Sequence, residues 1–256
     1  MEKQKLMSLV LLDSPLSPDM NAVAAAIRAR HPETPVIVPG EAGGQSLIVC
    51  GGKIVAVMSL PSPAPQDEGV MARAGATWPQ VREICQQHRA HLVVALMDDD
   101  AEPLLAARIV TAVLEGLLAV TPGCLGVIWG GRVAHPADRF LDMSKQAFAP
   151  YPGFPFMLWI SIHPFRQGAT FGAVTHGLMS FVGSEIEFEG GRDLAGVINK
   201  VAGLASYLIQ HGDVIKDGQT FGANETERLK VAHAISQEIA GLPVLRVTAP
   251  AGVGAN

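Results

Sequence analysis

Cysteine is scarce in this sequence. Its 256 residues include three, Cys50, Cys85 and Cys124, far apart and none in a C-x-x-C pair. That excludes a disulfide framework and a cysteine zinc site, and leaves free thiols suited to a reducing compartment. Charge is also sparse: 17% of residues, with a formal net charge of −5. Without a basic stripe, direct nucleic-acid binding is not expected, whereas a basic protein partner is compatible. Long uncharged apolar runs are lacking too. The most apolar segment, residues 104–120, is broken by Arg108 and Glu115, while a bilayer span needs ~20 largely uncharged residues. A buried core helix is therefore expected there, and no membrane partner. The early run "MSLVLL" is short and no small-residue cleavage site follows it, so it reads as a first strand of a cytoplasmic protein rather than as a leader.

Familiar reactive motifs are missing as well. There is no G-x-S-x-G elbow, P-loop or H-E-x-x-H, and "PGCLGVIWGG" lacks dinucleotide-fingerprint spacing. The sequence predicts no catalytic residue, no metal and no cofactor.

What is present is a 48% apolar chain able to form one large domain or two small ones. "SLVLL" (8–12) and "HLVVALM" (91–97) read as buried strands, and "SLIVCGGKIVAVMSL" (46–60) as a hairpin about Gly51-Gly52. Met20, Val23, Ala24 and Ile27 repeat at helical spacing after Ser17-Pro18, and "TWPQVREICQQHR" opens with capping-box spacing. Helices are expected at 18–30, 78–88, 103–120 and 193–211, the last capped by Asp193 and stopped by Gly212. A short helix near 136–146, strands at 124–130, 156–165, 172–190, 213–222 and 243–249, and a final helix at 225–239 complete the reading. The order strand, helix, strand, strand, helix, strand matches a split βαβ unit. The fold class expected is α+β: two ferredoxin-like units in tandem, at 1–100 and 101–256, with mostly antiparallel sheets and packed helices.

Acidic features stand out against this low-charge background. In "VGSEIEFEGG", Glu185, Glu187 and Glu189 alternate with Ile186 and Phe188. A strand would put the carboxylates on one face and the apolar pair on the other. Two readings of that ladder stay open: a face turned to water, or one turned to a cationic partner. Asp98, Asp99 and Asp100 lie between a strand and a helix. They suit capping, with an Mg²⁺ site or an acidic protein-binding tip as the alternatives. His163 and His176 could face each other across a hairpin and, with Glu185, form a metal or acid–base group. Local hydrogen bonding is the simpler expectation for both histidines. Asn224-Glu225-Thr226 matches a glycosylation sequon, read here as coincidence.

Several short motifs occur in order: Leu158-Trp159; Thr175, Gly177 and Leu178; Gly183, Glu185, Ile186 and Glu187; and Asp217, Gly218, Thr220 and Gly222. Over roughly residues 90–222 the chain resembles the bacterial domain-of-unknown-function family numbered 4261. The resemblance brings no reaction and no catalytic residues. It implies the immunity protein of a secreted toxin, of the kind encoded beside type VI effectors: a non-catalytic inhibitor whose partner is a basic nuclease domain. The partner-binding residues expected are then Glu185, Glu187, Glu189, Asp98, Asp99 and Asp100. The alternative is a small-molecule-binding protein or enzyme with its pocket between the two units.

Overall fold

The computed structural model describes residues 6–42, 44–98, 100–222 and 228–248. The chain is α+β and divides into two units, Met1–Trp159 and Ile160–Asn256. Unit 1 contains β1 (Met7–Leu12), α1 (Met20–Arg30), β2 (Val36–Ala42), β3 (Gln45–Cys50), β4 (Lys53–Leu60), α2 (Glu68–Ala74), α3 (Val81–Gln87), β5 (Ala90–Leu96), α4 (Pro103–Val120), β6 (Cys124–Trp129), β7 (Val133–Pro136) and α5 (Ala137–Ser144). The expected boundary at residue 100 falls inside this unit. The reason is pairing: β6 is the antiparallel neighbour of β1, and α4 packs on α1 and on β4 and β5.

The sheet of unit 1 runs β2-β3-β4-β5-β1-β6-β7, every neighbour antiparallel. This differs from the ferredoxin-like order, and strand parity explains why. The split βαβ reading has a two-stranded hairpin between its helices, but a third strand, β2, precedes that hairpin here. With three strands in antiparallel succession, β4 runs in the same direction as β1. The two cannot pair antiparallel, and β5 lies between them. β2 was hidden by Pro39-Gly40, where the ladder shifts register and Gly40 takes φ 117°, a conformation suited to glycine.

One face of this sheet, with Val10, Ile48, Val55 and Val94 fully buried, lies under α1 and α4. The α1 cap is Asp19 rather than Ser17, its carboxylate accepting from the amides of Asn21 and Ala22. Among the described residues α4 is the one helix long and apolar enough to cross a membrane, and it is mostly buried in the protein. Its Glu115 is buried between Arg30 (2.7 Å) and His31 (2.6 Å). At Gly116 the helix meets α1 so closely that a Cβ would lie 2.7 Å from Ile27 Cγ1. The opposite face is covered over β1, β6 and β7 by α2, α3 and Trp78, whose ring sits where a side chain on Gly126 would be.

Unit 2 contains β8 (Ser161–Gln167), β9 (Thr170–His176), α6 (Met179–Val182), β10 (Glu185–Gly191), α7 (Leu194–His211), β11 (Thr220–Phe221), β12 (Leu229–Ile235) and β13 (Pro243–Thr248). Its sheet runs β11-β12-β13-β10-β9-β8, antiparallel except for the β10–β13 pair. The parallel pair follows from α7, which carries the chain across the sheet before the β12–β13 hairpin brings it back beside β10. Two expectations change here. Residues 229–235 form a strand instead of the final helix, because Leu229 and Val231 alternate inward in register with β13. The strand expected at 213–222 reduces to Thr220–Phe221. The helix expected at 193–211 is α7, capped by Asp193, and it buries Val197, Val201, Leu204 and Leu208.

Candidate functional site

The acidic strand is β10, at the centre of the unit 2 sheet between β9 and β13. Ile186 and Phe188 are buried as expected. The carboxylates are not on a wet face: Glu185 is 1% and Glu187 0% exposed. Each is enclosed by a loop that folds back over the sheet.

Glu185 holds the turn after β9. Its Oε1 accepts from the Gly177 amide (2.8 Å) and the Met179 amide (3.2 Å). Its Oε2 accepts from Thr175 Oγ1 (2.7 Å) and the Leu178 amide (3.0 Å). The same Thr175 oxygen accepts the Ile186 amide at 2.8 Å, so its proton is directed at Glu185. Gly177 and Gly183, with φ 106° and 78°, let the chain turn on either side of α6. Burial pushes the Glu185 carboxyl above its ordinary range, and the Thr175 hydroxyl and the three amides pull it back.

Glu187 does the same for the β12–β13 connection. It accepts from the Ser236 hydroxyl, from the amides of Gln237 (3.1 Å) and Glu238 (3.4 Å), and from Arg246 Nη2 (3.0 Å) and Nε (3.2 Å). Burial raises this carboxyl, but the donors outweigh it and leave it below the usual range. Arg246 also donates to the Ile235 carbonyl (2.7 Å) and pairs with Glu189 (3.2 Å). Glu189 is 19% exposed. Partial burial raises its carboxyl against the pull of Arg246, with Glu187 adding to the rise.

Neither buried carboxylate is therefore available to a partner, a proton transfer or a cation. An ionised carboxylate has about four acceptor positions, and four donors occupy those of Glu185. The last of the motifs is likewise engaged. Asp217 accepts from the His233 amide at 2.8 Å, and the Gly218 amide donates to Val231 at 2.9 Å, fastening residues 217–221 to β12.

The aspartates diverge. Asp98 accepts from the Ile54 amide (2.8 Å) and lies 3.8 Å from Lys53 Nζ, closing the end of the β4–β5 pair. Asp100 is exposed, and Asp99 lies outside the described residues. The α4 cap is Glu102, bonded to the amides of Leu104 and Leu105. His163 and His176 do meet across the β8–β9 hairpin, edge to face at 5.2 Å, and His163 Nε2 lies 2.9 Å from Ser161 Oγ. Glu185 does not complete a group with them. Among the described residues no three His, Cys, Asp or Glu side chains cluster as metal ligands. The sequon also lies outside the described residues.

Sequence reasoning missed one concavity in unit 2. A cavity of about 160 Å³ is lined by Ser184, Asp213 and His233, with Val182, Pro243 and Leu245. The three polar residues resemble a hydrolytic set, but His233 Nε2 is bonded to the Ile215 carbonyl at 2.9 Å, and small-ligand sites are commonly ~300–1,000 Å³. Leu158 and Trp159, read as a strand, lie in a short 3₁₀ turn at the end of unit 1. There Trp159 donates to Thr111 at 2.9 Å and stacks on Phe154.

Comparison with curated proteins and with solved structures returns no match. The match that exists begins inside β9 and ends with β13, so it takes in both carboxylate clamps and Asp217 and leaves out Leu158 and Trp159. Over residues 174–248 the chain matches the family described as a domain of unknown function, DUF4261.

Proposed function

We propose that the protein is a non-catalytic cytoplasmic immunity protein, which binds and neutralises a cognate secreted toxin. The observation that carries this reading is the use of the motif side chains. Within the matched region Thr175, Glu185, Glu187 and Asp217 all bind backbone of their own fold. Glu185 and Glu187 tie down two connections, Gly177–Met179 and Ser236–Glu238. Loops held in this way form a preorganised recognition surface, which lowers the ordering cost of binding. A reacting site would instead keep its acceptors free for a substrate proton or a metal. The ladder no longer argues for a cationic partner, since Glu185 and Glu187 are enclosed. A basic nuclease domain as partner rests on the net charge of −5 and on exposed Asp100.

The test is co-expression with the product of the adjacent gene. A stable complex, together with rescue of cells from that product's toxicity, is the expected result. Absence of both would overturn the reading, as would turnover of a small substrate by the purified protein.

A further inference from the structure

We propose that the open half of the unit 1 sheet is a self-association surface, on which a second copy of the chain packs face to face. The proposal is independent of the toxin reading. It comes from strand register. Residues directly opposite on antiparallel strands share a sheet face. Ile37 lies opposite Val49, and Val49 opposite Ile54. The Met97 amide bonds to Ile54 and continues that row. A second row crosses the same face through Leu47, Ala56, Ala95 and Met7, and a third contains Met58 and Val93 before it passes beneath α2 and α3 at Leu9. Four large apolar side chains on these rows stand in solvent: Ile37 is 61%, Met7 50%, Met97 43% and Ile54 42% exposed. Among the described residues no charged side chain falls on these rows.

The helices leave this region uncovered. α1 and α4 occupy the other face, and α2 and α3 cover this one only over β1, β6 and β7.

Three properties favour a second copy as occupant. Among the described residues the face carries no charge, so meeting itself incurs no like-charge repulsion between them. At its margin Lys53 and Asp98 form an ion pair, so these two charges offset each other. Size is the second. The four open strands β2 to β5 at ~4.8 Å and three rows at ~7 Å make a plane of roughly 400 Å², to which Met7 at the end of β1 adds. Two such faces, with accessible area exceeding projected area, reach roughly the 1,200 Å² at the lower end of specific interfaces. The third is the edge strand beside it: β2 carries Pro39 and a register shift, which discourages edge-to-edge joining and leaves the face as the surface for contact.

Sedimentation velocity of the full chain over a wide concentration range tests this. The expected result is a monomer–dimer equilibrium. Ile54→Lys, and separately Ile37→Lys, should each weaken it by roughly tenfold or more, because the dimer would bury an unpaired ammonium. Leu105→Lys, at an exposed apolar position on α4, should leave it unchanged. Circular dichroism shows that each variant is folded; Ile37, at a sheet edge, gives a readable variant should Ile54→Lys not fold. Three outcomes would overturn the proposal: a wild-type monomer up to its solubility limit, a dimer indifferent to both folded face variants, or a monomer that uses this face for a different protein.

Discussion

Replacing Glu185 by glutamine tests whether the carboxylate is a clamp. The two side chains have nearly the same shape, so packing is kept and only acceptors are lost. Glu185 receives four donors, two at each oxygen. Glutamine offers one carbonyl oxygen and turns an NH₂ group toward the other pair. With the oxygen placed at Gly177 and Met179, the NH₂ faces Thr175 Oγ1 and the Leu178 amide. The hydroxyl can rotate to accept, but the Leu178 amide is then left without an acceptor. A buried unsatisfied donor costs about 1–3 kcal/mol, and loss of the charge-assisted bonds adds to that. We expect about 2–4 kcal/mol of destabilisation, concentrated in the turn 177–179. Hydrogen exchange reads this directly. Protection of the Gly177, Leu178 and Met179 amides should fall by about 30- to 1,000-fold, and the denaturant midpoint of unit 2 should drop. Glu189→Gln, at a partly exposed carboxylate, should change these amides little. Wild-type protection at all three amides in Glu185→Gln would refute the clamp.

Other expectations follow from buried groups. Phe188→Ala, at a residue 2% exposed, should destabilise unit 2 by about 3–5 kcal/mol in urea unfolding. Burial pushes His135 down to about 4, against the hydrogen bond to the Leu158 carbonyl. Between the unfolded value of about 6.5 and that value, the unfolded chain takes up a proton that the folded chain refuses. The stability of unit 1 should therefore fall by about 3 kcal/mol as pH drops through this window, and His135→Phe should flatten the pH dependence there. Glu115→Gln should destabilise unit 1 by about 3–5 kcal/mol, because Arg30 loses its counter-charge and the buried carboxylate that accepts from both Arg30 and His31 is gone; the partial exposure of Arg30 favours the lower end. Burial raises the Glu115 carboxyl, but hydrogen bonds from His31 and Arg30 hold it below its ordinary value. Its stabilisation is present above the unfolded value and lost as pH falls through the folded one, visible as an acid limb that Glu115→Gln removes.

Periodicity carried most of the fold. The helices α1, α3, α4 and α7 and the hairpin at 45–60 were legible because each has a continuous apolar stripe or alternation bounded by a turn or cap. β2 was not, since "VIVPGEAGG" reads as loop when proline and glycine are weighed locally. That one omission changed the sheet order, because the added strand reverses the direction of the β3–β4 hairpin relative to β1. β12 was misread because the apolar residues of "LKVAHAI" fit both periods, and only its pairing with β13 decides between them. Of the candidate site, the strand and its inward Ile186 and Phe188 were legible. The donors were not: they are backbone amides of loops, and an amide carries no residue-type signal. One trace was readable. Ser236 precedes a polar stretch and Arg246 sits alone in an apolar strand, and an isolated arginine in a central strand needs a carboxylate nearby.

Alternation shows which residues share a sheet face, and it says nothing of whether that face meets water. A strand with glutamate at every second position therefore permits two structures with opposite energetics. On a wet face the charges repel weakly, and neutralising all three would leave stability unchanged or raise it slightly. Beneath two loops, the same carboxylates supply the acceptors that the loop amides would otherwise lack. The sign of the triple Glu→Gln substitution at 185, 187 and 189 separates these cases in one unfolding experiment. With Glu185 and Glu187 enclosed, the substitution must lower the midpoint of unit 2, and by more than Glu185→Gln alone, because the donors from Ser236, Gln237 and Arg246 are left to share one neutral oxygen in place of two charged ones. The two clamps hold different loops, so their losses should be close to additive. A triple variant as stable as wild type would return the ladder to the surface and remove the basis for treating the two loops as preorganised.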